Sequence, residues 1–253
     1  MCASYRWGTV NRNASFANIY DANRAWVFDD VTPSLSELRT AMEQAQHIAP
    51  VDFTQVEVVD TIVRGGLMAE LSAWLGPPSA TFALMVSSET GASGPASRPK
   101  AIVVAERPFP VRERWLELLL AGHAQDDGIP LRVVGEMATR DIGVLALAGM
   151  RLFTATLGAE TIGYATLWSR MDVGLIDNVA TLPAFRRRGV ATAVVTAALA
   201  ASREAGDGLT CLFTREESSA QRLYEDLGMR SVARVAQFHA GSPRGTCGWG
   251  TSL

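Results

Sequence analysis

The chain has 253 residues, 48% hydrophobic and 19% charged, with a formal net charge of −3. That balance describes an ordinary globular protein of one large or two small domains and leaves no broad basic surface for nucleic acid. Three cysteines (Cys2, Cys211, Cys247) and three scattered histidines (His47, His123, His239) provide neither a disulfide framework nor metal-ligand spacing, so no metal is expected.

No apolar signal region opens the chain, and its longest apolar run is too short to span a bilayer. A cytoplasmic protein without membrane or nucleic-acid partners is the expectation. Residues 1–30 are rich in Asn, Arg and aromatics and show no period, with one short strand expected over 25–28. A helix starts at Thr32 or Ser34, the latter with Glu37 three residues on. Its stripe is Leu35, Leu38, Met42 and Ala45. A strand over 53–59, a helix over 66–75 and a strand over 81–87 follow, then a Gly/Ser/Pro-rich linker at 88–99.

Beyond the linker, the pattern predicts a strand over 101–105, broken by Pro108 and Pro110, and a helix over 112–121. One or two short helices are expected over 131–148, interrupted near Gly143. Strands over 151–156 and 161–169 flank a loop of hairpin length. Next comes the stretch 174–206, around which the rest is organised. Leu175–Leu182 is an apolar, β-branched strand that Pro183 must end. Three arginines (Arg186, Arg187, Arg188), Gly189 and a helix follow, with Val190, Val194, Val195, Ala198 and Leu199 on one face and Gly206 as its stop. A strand over 209–214, a helix around Tyr224 and a last strand over 231–238 complete the chain. Cys211 reads as a buried thiol and 239–253 as a loose tail containing Trp249.

Strand, basic loop, glycine and helix form a site for phosphate. The first turn of a helix leaves backbone N–H groups without partners, and the helix dipole favours an anion there. Neither GxxxxGK[ST] nor a strand-borne GxGxxG is present. The pattern that fits is [RQ]-x-x-G-x-[GA], met by Arg186, Gly189 and Ala191. A basic loop merely joining strand to helix is the plain alternative.

This pattern resembles the phosphate-binding motif of the GNAT acyltransferases. Glu217–Met229, ESSAQRLYEDLGM, resembles that superfamily's N-x-x-A-x-x-L-Y-E-x-x-G-[FM] signature, with Ala220, Leu223, Tyr224, Glu225 and Gly228 matching. Glu217 stands where the pattern has asparagine. The likeness covers about residues 150–238.

The resemblance implies an α/β (α+β) fold with a mixed, mostly antiparallel sheet flanked by helices. A catalytic domain over 98–240 is expected, with a smaller α/β lobe over 1–97 and a tail over 241–253. The arrangement resembles tandem GNAT proteins whose first half lacks a usable CoA site. An unrelated α/β lobe is the alternative. Either way the lobe is expected to wall the acceptor pocket or to supply a contact in a homodimer.

The implied activity is acetyl transfer from acetyl-CoA, as cosubstrate, to the amine of a small molecule by direct attack in a ternary complex. Such transfer needs a neutral amine, a stabilised oxyanion and a protonated leaving thiolate, with proximity supplying much of the rate. The resemblance assigns the main chain of Val179, Ala180 and Thr181 to the cofactor arm and the oxyanion. It assigns the N–H groups of Arg187, Arg188, Gly189, Val190, Ala191 and Thr192 to the pyrophosphate, with side-chain charge from Arg186, Arg187 or Arg188. Glu217 and Ala220 are carried as cofactor contacts, although Glu217 is also explained by a helix N-terminus that favours negative charge.

Tyr224 is the implied acid for the thiolate; core packing on the face Ala220–Leu223–Tyr224–Leu227 is its alternative. Asp177 is the candidate base, or a hydrogen-bonded structural residue. Asn178 points to the other face if the strand is regular. Two further readings stay open: a CoA-binding regulatory or interaction protein without catalysis, and transfer to a protein amine.

Overall fold

Local signals explain most element ends in the computed structural model, which describes residues 1–19, 21–28, 30–60, 64–88, 101–124 and 130–241. The linker expected at 88–99 and the tail with Trp249 fall outside the described residues, apart from Ser88 and 239–241. The chain divides into two compact units, the first made of Met1–Phe82 with the strand residues from Ala233, the second of Ala83–Val232. These boundaries differ from those expected at 97/98 and 240/241. Strands explain the difference: one before the linker joins the second unit, and the last strand joins the first.

The first unit begins with β1 (Cys2–Tyr5), β2 (Gly8–Asn11) and β3 (Ala25–Val27). The β1–β2 hairpin lies in the stretch where no period is visible. Gly8 has φ +146°, and a Cβ there would run into the Trp26 carbonyl, so only glycine fits. Helix α1 (Leu35–Ile48) starts at Ser34 rather than Thr32, closed by a capping box with Glu37. β4 (Phe53–Asp60) and α2 (Gly65–Leu75) follow.

β5 (Ala80–Ser88) and β6 (Val103–Arg107) come next, with Pro108 ending β6 two residues later than expected. α3 (Arg112–Leu119) continues into a π-turn at Leu120–Ala124, and α4 (Leu131–Arg140) into another at Asp141–Leu145, which is the interruption expected near Gly143. β7 (Arg151–Leu157), β8 (Glu160–Arg170) and β9 (Val173–Thr181) form an antiparallel meander. Then come α5 (Val190–Glu204), β10 (Leu209–Arg215), α6 (Ser219–Asp226) and β11 (Arg230–Gly241).

In the second unit the strand order is β5-β10-β9-β8-β7-β6, with β9 and β10 parallel. In the first it is β1-β2-β3-β4-β11. There β3 and β4 are parallel and β11 runs antiparallel to β4, Phe238 opposite Val56. β11 therefore completes the first unit's sheet and runs through His239, where a loose tail was expected. Each unit contains a strand, a helix and a second strand parallel to the first. The sheet is mixed and mostly antiparallel with flanking helices, as the sequence implies.

The second unit's core holds α5 against the sheet. Val190, Val194, Val195, Ala198 and Leu199 are all 1% exposed or less, each Val or Leu contributing about 1.5–3 kcal/mol on burial. Gly163 on β8 provides the seat: a Cβ there would meet Val190 Cγ1 at 2.5 Å and the Ala180 carbonyl at 2.8 Å. At the other end of α5, Asp207 accepts from Ser202 (2.6 Å) and Ser169 (2.7 Å). Thr210 Oγ1 donates to Ser202 Oγ at 2.8 Å, so one of the hydroxyls that donate to this buried carboxylate is itself held in place.

Candidate functional site

Three local features open a site where β9 meets α5. The parallel β9–β10 ladder covers only Val173–Leu175 against Leu209–Cys211. Beyond it, the edge of β9 that faces β10 is released from that ladder. Second, β9 carries a bulge. Its register against β8 shifts between the Tyr164–Ala180 and Thr166–Asp177 pairs, and Asn178 sits at φ +47°. The strand is thus irregular at the point where a regular one would separate Asp177 from Asn178, and both are half-buried. The buried Asn178 Nδ2 and Thr181 Oγ1 have no hydrogen-bond partner among the described residues.

The third feature is the turn into α5. Pro183–Phe185 makes a 3-10 turn, Arg187 is left-handed at φ +62°, and Gly189, at φ +77°, is the residue before the helix. No side chain caps α5 and no acidic residue lies in its first turn. Its first N–H groups are therefore available to an anion. They face a cavity of about 750 Å³, walled by Thr181, Arg187, Gly189–Thr192 and residues of α6. That volume suits a small-molecule ligand. Arg187 and Arg222 are on this wall with one carboxylate, Asp226. The residues present fit a diphosphate-bearing ligand such as CoA.

Residues 125–229 match the family model described as the Acetyltransferase (GNAT) family. The chain carries a GNAT domain. Among curated proteins no sequence matches. Several solved structures share the fold. A functionally unknown conserved protein from Staphylococcus epidermidis is 10% identical at TM-score 0.72, with 94% of this chain and 92% of that one covered. A GCN5-related N-acetyltransferase from Kribbella flavida is 16% identical at TM-score 0.67, covering 98% and 91%. A tandem GNAT protein from the clavulanic acid biosynthesis pathway is 14% identical at TM-score 0.59, covering 85% and 74%.

Within the GNAT domain the structure separates the three arginines that the sequence leaves equivalent. Arg186 turns back toward the strand end, its Nε 3.4 Å from the Thr181 carbonyl. Arg188 lies over the Phe185 ring at 5.5 Å. Arg187 alone of the three lines the cavity. Of the other expected cofactor residues, Thr181, Gly189, Val190, Ala191 and Thr192 line it, whereas Val179, Ala180, Glu217 and Ala220 do not. Ser219, Arg222, Leu223, Asp226 and Leu227, which sequence reasoning did not select, complete the wall.

Tyr224 is fully buried in the core and does not line the cavity. Glu217 is exposed at φ +58°, its N–H donating to Gln221 Oε1 at 2.8 Å. Ser218, not Glu217, caps α6 by accepting from Gln221 N at 3.1 Å. Asp177 receives Thr166 Oγ1 on its carbonyl oxygen at 2.9 Å.

The π-turn after α3 reaches the same strand. A Cβ on Gly122 would stand 2.8 Å from Ala180 Cβ and 2.7 Å from Tyr164 Oη, so only a glycine lets the turn lie this close. Tyr164 Oη donates to the Leu118 carbonyl at 3.3 Å, and its ring meets Trp115 edge-on at 5.0 Å. Trp115 Nε1 donates to the fully buried Asp141 at 3.0 Å, and Arg140 pairs with the same carboxylate at 2.9 Å. This chain of contacts ties both π-turns to the site strands. Cys211 is mostly buried, and desolvation pushes its thiol up to about 11. Among the described residues no group of three His, Cys, Asp or Glu could hold a metal ion, and no helix is long and apolar enough to cross a membrane.

Proposed function

We propose that the GNAT domain transfers an acetyl group from acetyl-CoA to the amine of a small molecule, with both held at once. One observation carries this reading: the uncapped start of α5, with Gly189 left-handed, opens onto the cavity beside the β9 edge. The thioester would supply the activated acyl group. In this reading the N–H groups of Arg187–Thr192 donate to the diphosphate, with Arg187 and Arg222 adding charge. The edge of β9 through Val179–Thr181 pairs with the pantetheine arm, and one of its N–H groups donates to the acyl oxygen, an effect of a few kcal/mol where it has been removed elsewhere. Asp177 accepts the amine proton, and Tyr224 Oη returns a proton to the departing sulfur. The test is thiol release from acetyl-CoA across a panel of small amines. Amine-dependent release is expected; its absence with folded protein would overturn the assignment.

A CoA-binding protein without turnover is the second reading, favoured by the enclosure of Tyr224 and by Glu217 in place of asparagine. Saturable CoA binding without release across that panel would decide for it. Adding a peptide amine to the panel tests transfer to protein. The first unit reads as a degenerate GNAT half. Its parallel pair β3 and β4 brackets α1 as β9 and β10 bracket α5, and the tandem GNAT neighbour supports the comparison. The start of α1 is closed by Ser34 and Glu37 instead of left open. Hydrogen bonds from the Ser34 N–H and hydroxyl hold the Glu37 carboxyl below its usual range, so a carboxylate occupies the place a phosphate would take.

A further inference from the structure

The first unit has a cavity of its own, at the C-terminal half of α1 and the start of β4, away from the capped start of α1. It measures about 450 Å³, and its wall includes Arg12, Met42, Gln46, Val51, Phe53 and Trp74. Arg12, just past β2, is only 2% exposed. Its Nη1 donates to the Asn11 carbonyl at 3.1 Å, and its Nε has no acceptor among the described residues. Among the described residues no carboxylate pairs with it. The neighbouring buried Arg24 differs, since it forms an ion pair with Glu57, which also receives Gln55 and Gln237.

A guanidinium sealed from water without a counter-charge is unfavourable, and burial lowers the Arg12 pKa. We propose that this cavity is a binding site for a small monocarboxylate with an apolar body, its carboxylate seated on Arg12. Guanidinium geometry matches a carboxylate in a two-point contact, and because Arg12 is almost fully buried its Nε edge must turn toward the cavity to make it. Met42, Val51, Phe53 and Trp74 provide the apolar wall. Glu43, Asp52 and Arg39 are exposed around the mouth, and that net negative rim disfavours a polyanion.

The test is calorimetric titration of phenylacetate, isovalerate and inorganic phosphate into the full chain. Saturable binding of one or both carboxylates, tighter than phosphate, is expected. Arg12→Met should weaken it by roughly ten- to a hundredfold, with circular dichroism and thermal midpoint retained. Trp74→Ala, on the partly exposed wall, provides a second variant should Arg12→Met not fold, and it too should weaken binding. Absence of saturable binding to the folded protein, equal affinity in both variants, or preference for phosphate would overturn the proposal. Phosphate bound at the start of α5 would survive Arg12→Met, so only phosphate binding that this substitution weakens counts against the proposal, and the outcome is read apart from the second unit's site.

Discussion

Replacing Gly163 with alanine puts a methyl group between the sheet and the first residue of α5. The added Cβ would stand 2.5 Å from Val190 Cγ1 and 2.8 Å from the Ala180 carbonyl, where ordinary contacts are 3.4–4 Å. Ala180 is paired with Tyr164 in the β8–β9 ladder and has little room to retreat, so most of the adjustment falls on Val190. That displacement of about 1 Å costs on the order of 1–3 kcal/mol. At roughly 2–4 °C per kcal/mol for a chain of this size, the thermal midpoint should fall by about 2–12 °C. It also moves the N–H groups that open α5. CoA affinity, read by titration calorimetry well below the new midpoint, should drop about tenfold or more, and Val190→Ala in the same chain should restore part of both losses. An unchanged midpoint with unchanged CoA affinity would refute the packing argument. A lowered midpoint with full affinity would detach the helix start from the ligand.

Tyr224→Phe keeps the buried ring and removes only the hydroxyl. Folding should survive with a change of about 1 kcal/mol, while steady-state turnover falls about a hundredfold or more; unchanged turnover removes Tyr224 from the proton path. Arg187→Gln and Arg222→Gln should each weaken CoA several-fold and flatten its salt dependence, whereas Arg188→Gln, stacked on Phe185, should change affinity little in the same titrations. Cys211, with its thiol raised to about 11 against 9.0, should resist alkylation at neutral pH until the protein unfolds. Its folded pKa exceeds the unfolded one. The protein therefore keeps this stabilisation below about pH 9 and loses roughly 2–3 kcal/mol as pH rises to about 11, a decline that denaturant titrations should show and Cys211→Ala should abolish.

The route from β9 to α5 was legible because three local devices agree there: Pro183 stops the strand, a 3.6-residue period starts at Val190, and Gly206 is left-handed at φ +86°. The β1–β2 hairpin was not, because strands of four residues are too short to show a period. The partner of β11 was not, because its register with β4 joins residues far apart in the chain. Within the site, the arginines looked alike until the left-handed Arg187 turned neighbouring side chains apart. The bulge at Asn178 carries no glycine to announce it. Ser219, Arg222, Leu223 and Asp226 recur at helical spacing beside the Ala220–Tyr224 face. A helical projection shows this second face, but nothing in the sequence says which face meets the cavity.

The proposed function depends on amide hydrogens at the start of α5 holding a diphosphate. The direct measurement is parallel calorimetric titration with CoA and with pantetheine, which lacks the diphosphate. Saturable CoA binding is expected, with pantetheine weaker by about a hundredfold or more, from the loss of several charge-assisted hydrogen bonds. Equal affinity for the two, or no CoA binding to folded protein, would contradict it.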